Sequence, residues 1–306
     1  MLKFILKRIL ESVPVLFVIV TLTFFLAKWV PGGPFDGEAG LSKETLQSLN
    51  AHYGFDQPLY VQYGRYLNNL IHGDLGPSIK KQGISVNSLL KSRVPTSMKL
   101  GFMAVCFAAF FGIVMGTLAA AKPNTRTDHT LMGFSMTGIC LPAFVLGPLL
   151  VLVFSLKLNW LNAVGWENPS DCILPVVTLG LMYSGYIARL MRASMLEVRN
   201  QDYMRTAFAK GLSIVRVLFV HGLRNAVLPV VTYLGPTTAA LISGSLIIET
   251  VFNIAGVGRL FINAVSERDD TVIIGAVLFY SILIITCNLL VDIAIAILNP
   301  KQKLES

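Results

Sequence analysis

Apolar residues run along most of this chain in blocks too long for the strands or amphipathic helices of a soluble fold. Six blocks stand out: Ile9–Val30, Ser97–Ala121, Leu131–Leu156, Cys172–Ala188, Ala226–Phe252 and Thr271–Leu298. Each is close to or above the ~20 residues that a helix needs to cross the hydrocarbon core of a bilayer. Backbone polar groups in lipid must be satisfied within the segment, so the pattern predicts an all-α polytopic membrane protein with six transmembrane helices. Several blocks carry helix-disturbing residues: Pro142, Gly147 and Pro148 in the third, Pro175 and Gly180 in the fourth, Pro229, Gly235 and Pro236 in the fifth. Bundled spans tolerate these because neighbouring helices satisfy the freed backbone groups. Small residues such as Gly112 and Gly116 let a neighbouring helix come close.

The polar segments between the blocks divide the chain. Residues 1–30 form an N-terminal tail and first span, 31–95 a small insertion, and 96–306 a core of five further spans. The first block follows Lys3, Lys7 and Arg8 but is too long for a signal-peptide core. Val30-Pro31-Gly32-Gly33 also lacks the A-x-A form of a cleavage site, so the block reads as a retained span. Within the insertion, Ser42 is placed to cap a helix carrying Leu46, Leu49 and Tyr53, ended by Gly54. Asp56 and Pro58 open a second helix, with Tyr60, Leu67, Leu70 and Ile71, ended by Gly73. Gly73-Asp74-Leu75-Gly76-Pro77-Ser78 has the spacing of a tight irregular loop.

Composition agrees with a lipid solvent: of 306 residues, 54% are hydrophobic and 14% charged, against roughly a quarter charged in soluble domains. The net charge of +8 points to topology rather than nucleic acid. With the N-terminus cytoplasmic, the inside segments collect Lys3, Lys7, Arg8, Lys122, Arg126, Arg189, Arg192, Arg199, Arg205, Lys210, Arg216, Arg224, Lys301 and Lys303. The two short outside loops hold only Lys157, Arg259 and Arg268. Both termini are therefore expected in the cytoplasm and the insertion outside. Cys106, Cys140, Cys172 and Cys287 lie in separate apolar segments, so neither a disulfide framework nor a metal site is indicated.

Catalytic, cofactor and metal motifs are absent from the sequence. There is no H-E-x-x-H, no G-x-S-x-G and no phosphate-binding G-x-x-x-x-G-K-[ST]. Charges within the apolar blocks are Glu11, Lys28, Lys99, Glu249 and Asp292, each near a block end where snorkelling and water reduce the cost. The fifth block is rich in uncharged polar groups: Thr232, Tyr233, Thr237, Thr238, Ser243 and Ser245. Two readings stand, interhelical hydrogen bonding or the wall of a polar pathway.

The segment from Arg199 to Asn225 has strong local punctuation. Asp202 suits an N-cap, Tyr203 to Lys210 a two-turn helix, and Gly211 the left-handed stop. Ser213 is placed to cap a following helix, Ile214 to His221. Ala207 and Ala209 beside Met204 and Phe208 suit docking in another protein's groove, with Arg205 and Lys210 making the helix cationic. A positively charged topogenic loop is the other reading, but it needs no such two-helix punctuation.

Arg205-Thr206-Ala207-x-x-x-Gly211, followed by Leu228-Pro229, resembles the E-A-A-x-x-x-G loop of binding-protein-dependent ABC import permeases. Arg205 stands in place of the acid, and the gap from Gly211 to Pro229 is long; both features are similar to the peptide and nickel branch of the family. Further matches to that branch are Pro31-Gly32-Gly33-Pro34, Gly73-Asp74-Leu75-Gly76-x-Ser78, His221-x-x-Arg224-Asn225, Glu249-Thr250-Val251-Phe252, Gly256-Val257-Gly258 and Arg268-Asp269. The resemblance implies a type I ABC importer permease core and import of oligopeptides, with dipeptides or nickel as other cargo of the branch. It implies a second homologous permease subunit, two ATPase subunits and an extracytoplasmic peptide-binding protein as partners, with ATP bound by the partners. It implies that Asp202, Tyr203, Arg205, Thr206, Ala207, Lys210 and Gly211 couple ATP hydrolysis to the pathway. It implies a bacterial inner membrane as the location. From the residues alone, a secondary transporter and, after it, a membrane-embedded enzyme remain as other readings.

Overall fold

The computed structural model describes residues 2–29, 35, 42–243 and 246–298. These form helices α1 (Leu2–Trp29), α2 (Lys43–Tyr53), α3 (Leu59–Ile71), α4 (Val86–Ala121), α5 (Arg126–Cys140), α6 (Ala143–Leu150), α7 (Ile173–Arg199), α8 (Asp202–Ala209), α9 (Ile214–Arg216), α10 (Leu223–Ala226), α11 (Leu228–Ser243), α12 (Leu246–Val251), α13 (Val257–Glu267) and α14 (Asp270–Leu298). The winding widens to π-helical over Val151–Lys157 after α6 and over Val217–Gly222 after α9. Among the described residues there is no β-strand; Pro77 and Ser85 form an isolated bridge.

Five stretches are long and apolar enough to cross a bilayer: Leu6–Trp29, Val86–Ala121, Pro169–Arg199, Leu228–Val251 and Asp270–Leu290. The sixth is broken. Instead of one helix through Leu131–Leu156, α5 and the α6 segment meet at a bend of 107°. Pro142 is the cause. Leu141 before it is extended (φ −96°, ψ 119°), as a residue preceding proline prefers, and Pro142 itself opens α6. Pro148 then cannot donate a helical hydrogen bond, and the π-helical stretch begins three residues later.

The chain divides into two compact units, Met1–Thr96 with Ala255–Leu283, and Ser97–Ile254 with Ile284–Ser306. In the first unit, Ser42 caps α2 by accepting the Thr45 N–H at 3.2 Å, and Gly54 ends the helix at φ +70°. Helix α3 packs on α1 through Phe24 against Tyr63 and Tyr66, and Thr21 hydrogen-bonds the Tyr63 hydroxyl at 2.6 Å. Tyr66 is sealed into this contact, and burial pushes its phenol up to about 12. Lys28 pairs with Asp270 at 2.9 Å and lies over the Phe55 ring. The loop after α3 is held from two sides. Asn87 accepts the Leu75 N–H and donates to the Gly73 carbonyl. The buried Asp269 carboxylate accepts from Ser78 Oγ at 2.5 Å and from the Ile79, Lys80 and Val272 N–H groups. Two motifs some 190 residues apart in sequence are thereby one structure.

In the second unit α7 is the common support. A Cβ on Gly116 would lie 2.5 Å from the Ala188 carbonyl oxygen, and one on Gly185 would collide with the carbonyl oxygen of Ser135. Backbone therefore touches backbone where α4 and α5 cross α7. The core between them is apolar: Ala108, Ile187, Met191, Met195, Val217, Leu218 and Val230. A second cluster gathers Leu100, Leu179, Leu241, Ile248 and Phe252. Glu249 was expected near a relieving surface. It is instead fully buried, and Ser97 Oγ donates to it at 2.7 Å.

Gly133 tests this packing within the same helix as the Ser135 contact, because nothing lies within 4 Å of its would-be Cβ. Gly185→Leu is expected to lower the melting temperature of the purified protein by several degrees or abolish folding, since overpacking costs about 1–3 kcal/mol. Gly133→Leu is expected to leave it within about a degree, because a substitution facing open space falls within about 0.5 kcal/mol. Thermal unfolding in detergent measures both.

Candidate functional site

Helix α8 hangs directly from the end of α7. Asn200 closes α7 with its N–H on the Glu197 carbonyl, and Gln201 turns extended to become the N-cap of α8. The Gln201 carbonyl accepts the Met204 and Arg205 N–H groups. Asp202 is therefore the first helical residue rather than the cap. Its side chain is fully exposed, 3.9 Å from Arg205, and acts through its charge at the positive end of the helix. Gly211 ends the segment at φ +76°, with its N–H on the Phe208 carbonyl at 2.9 Å. The expected helix Ile214–His221 begins after Ser213, but only α9 is α-helical before the π-helical stretch. Val217, Leu218 and Gly222 all face inward there, because the wider winding brings residues five apart to one side.

The direction in which α8 faces corrects one expectation. Met204 and Ala207 are buried inside this chain, in the cluster with Met195, Val198, Val217 and Leu218. Ala207 is small because α8 lies close on its own bundle, and it is not available to a partner. Tyr203, Arg205, Thr206, Ala209 and Lys210 are exposed instead. Asn225 Nδ2 donates to the Tyr203 hydroxyl at 2.9 Å, tying α8 to α10.

Two arginines fasten the same end of α7 to the α4–α5 corner. Arg192 makes a bidentate pair with Asp128, Nε to Oδ1 at 2.7 Å and Nη2 to Oδ2 at 2.6 Å. Asp128 is buried and also accepts the Asn124 N–H. Arg199 donates to the carbonyls of Ala120 and Ala121, the last residues of α4. The end of α7 from which α8 hangs is thus tied to both α4 and α5.

The polar residues of the fifth span separate. Thr232 is exposed, Tyr233 and Thr238 are half-buried, and Thr237 is buried. Each threonine donates its hydroxyl to the carbonyl four residues earlier, Thr232 to Leu228, Thr237 to Tyr233 and Thr238 to Leu234. Ser245 and the Ser243 side chain lie outside the described residues. Tyr233 meets Tyr186 of α7 at 6.5 Å between ring centroids. Among the described residues no group of His, Cys, Asp and Glu is placed to hold a metal ion.

Residues 112–304 match the family model described as binding-protein-dependent transport system inner membrane component, and residues 1–100 match the N-terminal component of such systems. This chain belongs to that family of inner membrane transport components. It is 46% identical over 303 residues to the oligopeptide transport system permease protein OppB of Haemophilus influenzae, covering 98% of this chain and 99% of that one. It is 41% identical over 304 residues to the dipeptide transport system permease protein DppB of Bacillus subtilis, covering 99% of each. Among solved structures, the inward-facing MetNI methionine ABC transporter superposes with a TM-score of 0.56 at 15% identity, over 69% of this chain and 96% of that chain. That likeness is one of fold and agrees with a type I importer permease core.

The sequence singles out Asp202 to Gly211, counts Arg192 and Arg199 only among the topology-setting charges, and gives no role to Asp128. Asp128 sits in the first turn of α5, and no local spacing pairs it with a residue 64 positions away. Asp128→Asn is expected to destabilise the protein by about 2–4 kcal/mol, because it leaves the Arg192 guanidinium without its charge partner. A double-mutant cycle with Arg192→Gln, read by thermal unfolding, should recover part of that loss; strict additivity would show that the pair is not coupled.

Proposed function

We propose that this chain is the permease subunit of an ATP-driven importer that passes oligopeptides from an extracytoplasmic binding protein into the cytoplasm. The near-full-length likeness to an oligopeptide transport permease carries this reading. The geometry supports it: a short capped helix stands outside the bundle, its free face cationic and its other face wedged into the core. Such a helix of about eight residues is marginal alone, so it owes its persistence to Met204, Ala207 and the Tyr203–Asn225 bond. In this reading Tyr203, Arg205, Thr206 and Lys210 meet an ATPase subunit, one of two. A second homologous permease subunit completes the pathway. Asp202 and Gly211 set the ends of the helix, and Ala207 seats it. ATP hydrolysis belongs to the partners. The likeness to a dipeptide permease keeps dipeptides as the second reading of cargo. Nickel, the other cargo of the branch, is tested in the same uptake assay.

In this reading both termini and α8 are cytoplasmic, and the insertion from Pro31 to Pro95 faces outward. A cysteine placed at Gln47 in α2 is expected to react with an impermeant maleimide in sealed cells, and one at Lys210 to react only after permeabilisation. Labelling of Lys210→Cys from outside would invert the map.

Gly211 separates docking from folding. No atom lies within 4 Å of its would-be Cβ, so the cost of a side chain is conformational alone. Gly211→Val is expected to misplace the end of α8 at a cost of about 1–2 kcal/mol, whereas asparagine tolerates left-handed backbone. Expected outcomes are a normal membrane level in both variants, with peptide uptake and binding-protein-stimulated ATPase activity lost in Gly211→Val and retained in Gly211→Asn. Arg205→Glu with Lys210→Glu is expected to give the same uncoupling. Near-normal uptake in the charge-reversal variant would exclude α8 as the docking element. Deletion of the subunit should abolish uptake of tri- and tetrapeptides; loss of nickel uptake alone would transfer the chain to the metal-transporting members.

A further inference from the structure

Three arginines lie on α7, and only two of them are used by the fold. Arg192 is paired with Asp128, and Arg199 caps α4. Arg189 is exposed and has no carboxylate partner among the described residues. Its guanidinium carbon lies 5.0 Å from the centroid of the Tyr186 ring, one turn earlier on the same face. Tyr186 in turn contacts Tyr233 of α11. Ten residues separate Arg189 from the end of α7 at Arg199, about 15 Å along the axis. The cation is therefore held well inside the helix rather than at its end.

The surface around Arg189 is not one that faces lipid. Along α1 the exposed residues are large and apolar, among them Leu6, Leu10, Phe17, Leu22 and Leu26. On the α7 stripe of Arg189 they are Tyr186, Ala193 and Glu197, and on the adjoining face of α11 they are Leu228, Pro229, Thr232 and Pro236, with less apolar bulk than those of α1. An unpaired guanidinium on lipid would cost several kcal/mol, and such residues face a bundle interior or a water-filled cavity. A cation braced on an aromatic ring and left without a carboxylate is a site for a planar anion that accepts two parallel N–H bonds.

We propose that Arg189, with Tyr186 and Tyr233, binds the C-terminal carboxylate of the peptide as it passes. The inference rests on the permease reading above. Its chemistry fits a cargo of variable side chains: every unmodified peptide has one terminal carboxylate, so a single fixed cation engages all of them without selecting among sequences. The hydroxyl protons of Thr232 and Thr238 of α11 are already given to their own backbone, which leaves Arg189 as the donor for the carboxylate.

The test uses the assembled complex in proteoliposomes, with saturating binding protein and ATP, and compares trialanine with trialanine amide. Each variant is referred to the wild type for the same peptide, which removes the binding protein's own preference. Arg189→Gln is expected to reduce trialanine transport about tenfold or more, the effect of losing a charged hydrogen bond, and to change amide transport less than about twofold. Tyr186→Leu should give the same selective loss at smaller size, and Arg189→Lys should restore part of it. An equal fall for both peptides, with normal assembly, would assign Arg189 to an interface with the second permease subunit and overturn the proposal. Unchanged transport of both would overturn it as well. Failure of the wild-type complex to move either peptide would instead refute the permease reading on which it rests.

Discussion

Without a Cβ at Gly116, Gly138 and Gly185, the backbones of α4 and α5 reach the backbone of α7, and the larger unit depends on that approach. A side chain at any of the three would lie within 3 Å of a carbonyl oxygen, Ala188, Leu181 or Ser135 respectively. In lipid there is no hydrophobic force between helices to compensate for a loose fit, so close van der Waals contact supplies the cohesion. The same contact makes α7 difficult to move alone. Arg192 and Arg199 add polar fastening at one end, where the apolar packing gives way to exposed residues.

Rigidity there gives α8 its meaning. A two-turn helix on a flexible tether would absorb a push from a partner. This one is seated by Met204 and Ala207 in the core shared with Met195 and Val217, and is followed by a π-helical stretch whose inward residues lie in the same core. The free face, with Arg205 and Lys210, stays exposed, and the proposed function assigns the partner contact to it. The side of α7 that the fold leaves open carries Tyr186 and Arg189, so in the proposed function one helix would join the docking element to the face proposed for the peptide carboxylate.

The sequence makes the class of fold legible because the bilayer imposes a simple rule of length and apolarity. It makes α8 legible because caps and stops are local chemistry: Gly211 in the left-handed region follows from its position. Three things were hidden. Pro142 reads equally as a kink within a span or as a sharp break, and only the neighbouring helices decide. Ala207 looks like a surface for a partner because smallness signals close approach without saying to what. Glu249, Asp128 and Asp269 are matched to Ser97, Arg192 and the loop at Ser78 across long separations, where no periodicity operates.

The proposed function requires that α8 and α7 move as one body with α5 when an ATPase subunit drives transport. Spin labels at Ala209 of α8 and Gly133 of α5, in a chain with its four cysteines replaced, report the distance by pulsed electron resonance in the assembled complex. The account predicts the same distance distribution in the nucleotide-free and ATP-trapped states, while a label pair joining Ala209 to the second permease subunit shifts by several ångströms. A change between Ala209 and Gly133 as large as that shift would contradict it.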